Sequence, residues 1–265
     1  MPLHRLWLRP RYRMLGYMKI NLRYYLRARK FRRKWNRAEI AWMLEHVKRG
    51  EVCFDIGAHK GGWTYWMQKA VGSDGQVHAF EPQPQLNAYL GQLFARRAYC
   101  NVLLDNRALV DREGSAELFI PAPDGASSPE ASLVGPATCA LRPTQVAVVG
   151  TTTLDAYIDE VGIGRMDFVK VDVEGAEHQL LAGAQQVLSE LRPTWVIESE
   201  ARHTGEEGVL SLFHTMDTAG YRGYFFRGER LTPLAEFSFQ RDQNQEGERF
   251  WDRAAYSNNF LFIPD

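Results

Sequence analysis

No run of apolar residues in this chain approaches the ~20 needed to cross a bilayer as a helix. No short apolar core follows a basic start either, so neither a membrane span nor a secretory leader is expected. Cysteine is scarce: Cys53, Cys100 and Cys139 are odd in number and far apart. Their spacing excludes a cysteine metal cluster, and they read as buried thiols of a reducing compartment. Internal repeats and low-complexity tracts are missing. So is the G-x-G-x-x-G turn that a nicotinamide dinucleotide would ask for. Acid is missing altogether from residues 1–37.

That last absence carries information. The 32 Lys+Arg balance the 32 Asp+Glu, but 13 of the bases lie in residues 1–37. Residues 38–265 keep 19 bases against 32 acids, a formal −13. A basic arm on an acidic body speaks of a partner rather than of a fold. Lys19, Arg23, Arg27, Lys30, Lys34 and Arg37 step by three or four and share one helical face. Leu15, Met18, Leu22, Tyr25 and Leu26 fall mostly on the other, with Tyr24, Phe31 and Trp35 as added aromatic surface. Such a helix either docks on an anionic membrane or a nucleic acid, or packs its apolar side on its own domain and solvates its charges. A mitochondrial presequence would share the arginines, but the arm holds no serine.

The chain divides into this helical arm, residues 1–49, and a catalytic domain, residues 50–265. Within the domain, short apolar runs alternate with helical patterns: strands at 52–56, 76–80, 102–104, 167–171, 194–197, 221–226 and 260–263. Helices are predicted over 64–70, 86–95, 153–161, 177–191 and 208–219. This alternation predicts an α/β fold, a parallel sheet with helices on both faces. Residues 112–150, rich in Gly, Pro, Ser and Ala, interrupt it and read as an insertion capping the active site.

The candidate chemistry lies at strand ends. The first strand runs into Asp55-Ile56-Gly57-Ala58-His59-Lys60-Gly61-Gly62, a glycine turn that lets the backbone approach a ligand. The second ends in Glu81, where an acid meets ribose hydroxyls. Together they describe a nucleoside site without a pyrophosphate clamp, which S-adenosylmethionine fits. In the stretch 167–177, Lys170, Asp172 and Glu174 share one face of a strand built for burial. Lys170 and Asp172 read as an ion pair, while the carboxylates at the strand end read as functional. Glu198, Glu200 and His203 follow the next strand; they could deprotonate a hydroxyl or hold a divalent cation that lowers its pKa.

Taken together, VCFDIGAHKGGWT (52–64), VHAFEPQP (77–84), NVLLDNRALVDREG (101–114), TTLDAYI (152–158), DFVKVDVEGAEHQLLAGA (167–184) and PTWVIESE (193–200) resemble the FkbM family of methyltransferases, with a weaker likeness in NNFLFIP (258–264). The resemblance implies a Rossmann-like class I methyltransferase fold, a mostly parallel seven-stranded sheet with an antiparallel last strand. It implies methyl transfer from S-adenosylmethionine to a hydroxyl of a sugar, glycan or secondary metabolite. Asp55, Gly57 and Gly61 would hold the methionine part of the cofactor, and His59, standing where the family often has Asn, is a further cofactor-binding candidate. Glu81 would hold the ribose and Asn106 would lie near the adenine. Asp172, Glu174 and Glu177 match the family's acidic motif. Asp172 or His203 is expected to take the proton, oriented by Glu200; Glu174, Glu177 and Glu198 are the further substrate or metal candidates. Two other readings stand beside this one: an RNA methyltransferase gripping phosphates with the arm, against which the acidic body argues, and an inactive methyltransferase fold that binds a partner. The expected setting is cytoplasmic, with the arm at the periphery of a membrane.

Overall fold

A computed structural model describes residues 22–97, 99–123, 125–134, 143–250, 253 and 255–265. Leu15, Met18, Lys19, Cys139 and the middle of the 112–150 insertion lie outside them.

The arm's helix α1 spans 22–30, widens into a π-helical turn at Phe31–Trp35 and continues as α2 (Arg37–His46). Then come β1 (Val52–Ile56), α3 (Gly62–Val71), β2 (Gln76–Phe80), α4 (Pro84–Arg97) and β3 (Val102–Asp105). The insertion contributes β4 (Ala108–Leu109), β5 (Gly114–Ile120) and β6 (Gln145–Thr152). The domain resumes with α5 (Leu154–Val161), β7 (Phe168–Val171), α6 (Glu177–Ala182), β8 (Thr194–Glu198), α7 (Ala201–Thr218), β9 (Tyr221–Arg227), β10 (Arg230–Pro233), α8 (Phe239–Asp242) and β11 (Asn259–Pro264).

The main sheet is ordered β10-β9-β11-β8-β7-β1-β2-β3. β3, β2, β1, β7 and β8 are parallel, and β11 runs antiparallel between β8 and β9. This is the expected class I arrangement with one strand more than seven. The eighth, β10, is not among the strands expected from the sequence: Gly228, at φ +65°, lets a two-residue turn fold it back onto β9.

Strand residues alternate between two cores. Phe54, Ile56, Val169, Val171, Trp195 and Ile197 face α5, α6 and α7, whereas Cys53, Val77, Phe168 and Val196 face α2 and α3. Helices therefore cover both faces, and the central strands β1, β7 and β8 are buried on both sides. Thr153 starts α5 by accepting the Ala156 amide at 2.9 Å. The helix expected to run through 177–191 breaks instead at Gly183: a Cβ there would stand 2.1 Å from the Val110 carbonyl oxygen, so the chain turns where two backbones touch and resumes as a π-helical turn at Val187–Leu191.

The arm turns a different face inward from the one its apolar periodicity suggested. Tyr24 and Ala28 are buried, while Leu22 and Leu26 point to solvent. Cys53 is buried as expected, but Cys100 is exposed, being in a turn before β3 rather than in the core. Among the described residues no helix is long and apolar enough to cross a membrane.

Candidate active site

All five parallel strands end on one edge, and the strand order reverses between β1 and β7. Open α/β sheets place their ligand crevice at such a switch point. Here Gly57 forms its floor. At φ +83° the residue leaves β1, and a Cβ on it would lie 1.8 Å from the Asp172 carbonyl oxygen. The approach is locked from both sides: Asp172 N donates to Ile56 O at 2.9 Å and Gly57 N to Phe80 O at 3.0 Å.

Above this floor opens a cavity of about 990 Å³, at the upper end of small-molecule sites. Its lining includes Gly57, His59, Glu81, Asp172, Glu174, Glu198 and Glu200. Seven of the site residues named from the sequence thus meet around one space. Asp55, Gly61, Asn106, Glu177 and His203 do not line it.

Glu81 sits at the end of β2, buried, and uses both oxygens on backbone amides: Oε2 accepts from His59 N at 2.7 Å and Oε1 from Gln83 N at 2.9 Å. It clips the glycine turn to the neighbouring strand. Burial pushes its carboxyl up to about 8, with Asp55 and Asp172 adding to the rise. His59, held at φ +49°, keeps a buried Nε2 with no hydrogen-bond partner among the described residues. Burial lowers its imidazole to about 4, and Lys60 and Arg27 push the same way.

Asp55 lies beneath the turn. It accepts the Thr64 hydroxyl from α3, and burial raises it to about 6. Gly61 gives room to the arm rather than to the cavity, a Cβ there meeting the Tyr24 ring at 3.0 Å. Asn106 is exposed. Glu177 turns back to accept Gly175 N at 2.9 Å, and burial pushes it up to about 7.

The second acidic group lies beyond β7 and β8. Lys170, fully buried, donates to Val171 O at 2.6 Å and stands 3.8 Å from Glu198, so the ion pair expected with Asp172 forms with Glu198 instead. Burial, then the nearby Asp172 charge, drives Glu198 well above the usual carboxylate range. Glu200 was expected to orient His203. It grips Arg202 instead, through Nε at 2.8 Å and Nη2 at 2.9 Å, and also accepts from the Tyr256 hydroxyl at 2.7 Å. Burial alone would raise Glu200, but Arg202 outweighs it and holds the carboxyl below its ordinary value. The carboxylate facing His203 is Glu174, with Oε2 at 2.9 Å from Nε2. Burial depresses the His203 imidazole; Glu174 reverses this and raises it. Among the described residues no three His, Cys, Asp or Glu side chains group closely enough to hold a metal ion.

Several residues of the site escaped the sequence reading. Arg202 was passed over between two residues that were named, and Asn258, which donates to Glu198 at 2.7 Å, falls within the segment 258–264. Glu39 enters the cavity from the arm, and burial pushes it up to about 7. Gln83 exchanges two hydrogen bonds with the Ser128 backbone at 2.7 and 3.1 Å, and Ser132 Oγ donates to Glu174 O at 2.6 Å. These fasten the insertion over the cavity, where Pro129, Ala131 and Leu133 form part of the wall. Nothing in the local sequence marks contacts between segments that far apart.

The family model described as the methyltransferase FkbM domain matches residues 55–226. No curated protein matches the chain. Among solved structures, the chain is similar to an FkbM methyltransferase from Methylobacillus flagellatus KT at 13% identity and a TM-score of 0.50, over 80% of this chain and 43% of that one. The chain thus spans less than half of that relative's length. It is also similar to a protein of Clostridium thermocellum described provisionally as an rRNA methylase, at 12% identity and a TM-score of 0.50, over 87% of this chain and 94% of that one. At such identities the likeness speaks for the fold.

Proposed function

The chain belongs to the FkbM methyltransferase family, and from that premise we propose that it transfers a methyl group from S-adenosylmethionine to a hydroxyl of a sugar, glycan or secondary metabolite. The observation that carries this reading is the Gly57 turn, packed on the Asp172 backbone and ringed by Glu81, Asp172, Glu174 and Glu198. Burial lifts Glu81, Glu174 and Glu198 above their ordinary values, so the cavity favours a cationic guest that lets them ionise. S-adenosylmethionine has a sulfonium and an ammonium, and no phosphate. The unpartnered Nε2 of His59, on the cavity wall, suits such a molecule.

When bound, the cofactor supplies a methyl carbon already activated by its sulfonium. The chain's own residues must then align the acceptor and take its proton. Placement alone is worth roughly 7–11 kcal/mol. Asp172 is the proton acceptor in this reading: it lines the cavity beside the glycine turn, whereas His203 stands behind Glu174 and does not. Glu198, paired with Lys170 at 3.8 Å, lines the same cavity and offers the acceptor hydroxyl a second hydrogen-bonding partner. Arg202, fixed by Glu200, lines the same cavity.

Calorimetric titration with S-adenosylmethionine tests the cofactor, with Glu81→Ala as the variant and NAD as the control. Binding that is lost in the variant and not seen with NAD supports it; equal binding of NAD refutes it. Transfer of labelled methyl to a panel of sugar and metabolite hydroxyls, run beside total RNA, tests the acceptor. Label appearing in RNA alone refutes the hydroxylated small-molecule reading.

A further inference from the structure

Helix α1 presents two faces. One serves the domain: Tyr24 meets the Gly61 turn and stands edge-on to the Tyr65 ring at 5.5 Å, and the Ala28 carbonyl accepts from Trp66 Nε1 at 2.8 Å. The other is open. Leu22 and Leu26, one turn apart, are 56% and 53% exposed. Arg23 and Lys30 are exposed on one flank, and Arg29 is half-buried on the other. The open strip continues through Arg33, Lys34 and Trp35, the indole being 44% exposed and carrying Lys30 Nζ over its ring at 4.1 Å. A helix that merely packs on its own domain would turn its leucines inward. Here Tyr24 and Ala28 do that work, and the leucines are left among cations.

We infer that this strip docks on an anionic phospholipid bilayer. Leu22, Leu26 and Trp35 lie at the boundary between headgroups and acyl chains, and the flanking Arg and Lys meet the lipid phosphates. Charge fixes the orientation. The 13 bases of residues 1–37 are drawn to the surface while the formal −13 of the remainder is repelled, so the molecule approaches by its arm. Arg33, Lys34 and Trp35 also belong to the wall of the active-site cavity. Docking therefore brings the cavity's rim to the lipid surface, within reach of a hydroxyl carried on a lipid-linked acceptor. RNA would satisfy the cations but offer Leu22 and Leu26 nothing apolar to enter.

Co-sedimentation of the full chain with vesicles tests this, and it reads lipid binding whether or not methyl transfer is ever found. Vesicles of phosphatidylcholine mixed with phosphatidylglycerol should retain the protein and release it as salt is raised; phosphatidylcholine alone should not retain it. Leu22→Ser with Leu26→Ser should weaken retention about tenfold or more. Arg23→Gln and Lys30→Gln should each weaken it about fivefold. All four side chains point to solvent, so thermal unfolding should not change. Equal retention by neutral vesicles overturns the inference. So does full retention by the double leucine variant. Single-stranded RNA binding more tightly than the anionic vesicles, and indifferent to the leucine changes, overturns it in favour of a nucleic acid.

Discussion

Replacing Gly57 by Ala tests the close approach on which the site is built, and Gly50→Ala is its natural control. The two glycines share a backbone conformation, φ +83° and +84°, but nothing lies within 4 Å of a Cβ at Gly50. At Gly50 the change adds only the left-handed penalty of about 1–2 kcal/mol, partly offset by about 0.4–1 kcal/mol from a less flexible unfolded chain. A net loss of about 1 kcal/mol is expected. Gly57 carries the same term, and in addition its Cβ would overlap the Asp172 carbonyl oxygen at 1.8 Å. That oxygen cannot swing away as a side chain would. Relief means separating the ends of β1 and β7, where Asp172 N bonds to Ile56 O. Overpacking of this kind costs about 1–3 kcal/mol, and a lost hydrogen bond about 1 kcal/mol more. Gly57→Ala should therefore lose about 3–5 kcal/mol in urea unfolding and should bind S-adenosylmethionine poorly at temperatures where it remains folded. Gly50→Ala should bind normally. Equal losses at the two positions would refute the argument from close approach.

Three further outcomes follow from the buried charges and the insertion. Glu81 ionises near ~4.3 in an unfolded chain but at about 8 in the fold. Below ~4 both states hold the proton; above that the unfolded state sheds it first. The ligand-free protein should thus lose stability as pH rises from ~4 to about 8, on the order of a few kcal/mol, and Glu81→Gln should flatten that slope in chemical unfolding across pH. His203 is raised by Glu174, which favours its charged form. This contribution is full below the imidazole's ordinary ~6.5 and lost as pH rises through the folded value. Glu174→Gln should lower the His203 midpoint in an NMR imidazole titration, and an unmoved midpoint would remove Glu174 as the cause. Gln83→Ala strips both partners from the buried Ser128 backbone. A local loss of about 1–3 kcal/mol should appear as faster amide exchange around Ser128, with β1 and β2 unaffected.

The strands that carry the site were legible because their cues are local. Val52–Ile56 and Gln76–Phe80 are short apolar runs bounded by turn residues, and they form β1 and β2 over those same residues. Glu81 and Asp172 could be named because they directly follow such runs, and a parallel sheet gathers the carboxyl ends of its strands on one edge. β10 was missed because a four-residue edge strand at Arg230–Pro233 is defined by pairing with β9 and has little pattern of its own. The break at Gly183 depends on the Val110 backbone, far away in the chain.

By itself, then, the sequence determined the parallel sheet, the glycine turn, the acids at the strand ends and the basic arm, since periodicity and chain order are enough to set these. The tertiary structure alone decided how the acids are divided. Glu200 holds Arg202, Glu174 faces His203, Lys170 turns to Glu198, and Asp172 is left on the cavity beside Gly57. It also decided which face of the arm is covered. The reason in each case is that a side chain's partner, its burial and hence its charge state depend on which distant segments the sheet brings to the same edge, and no local pattern encodes that.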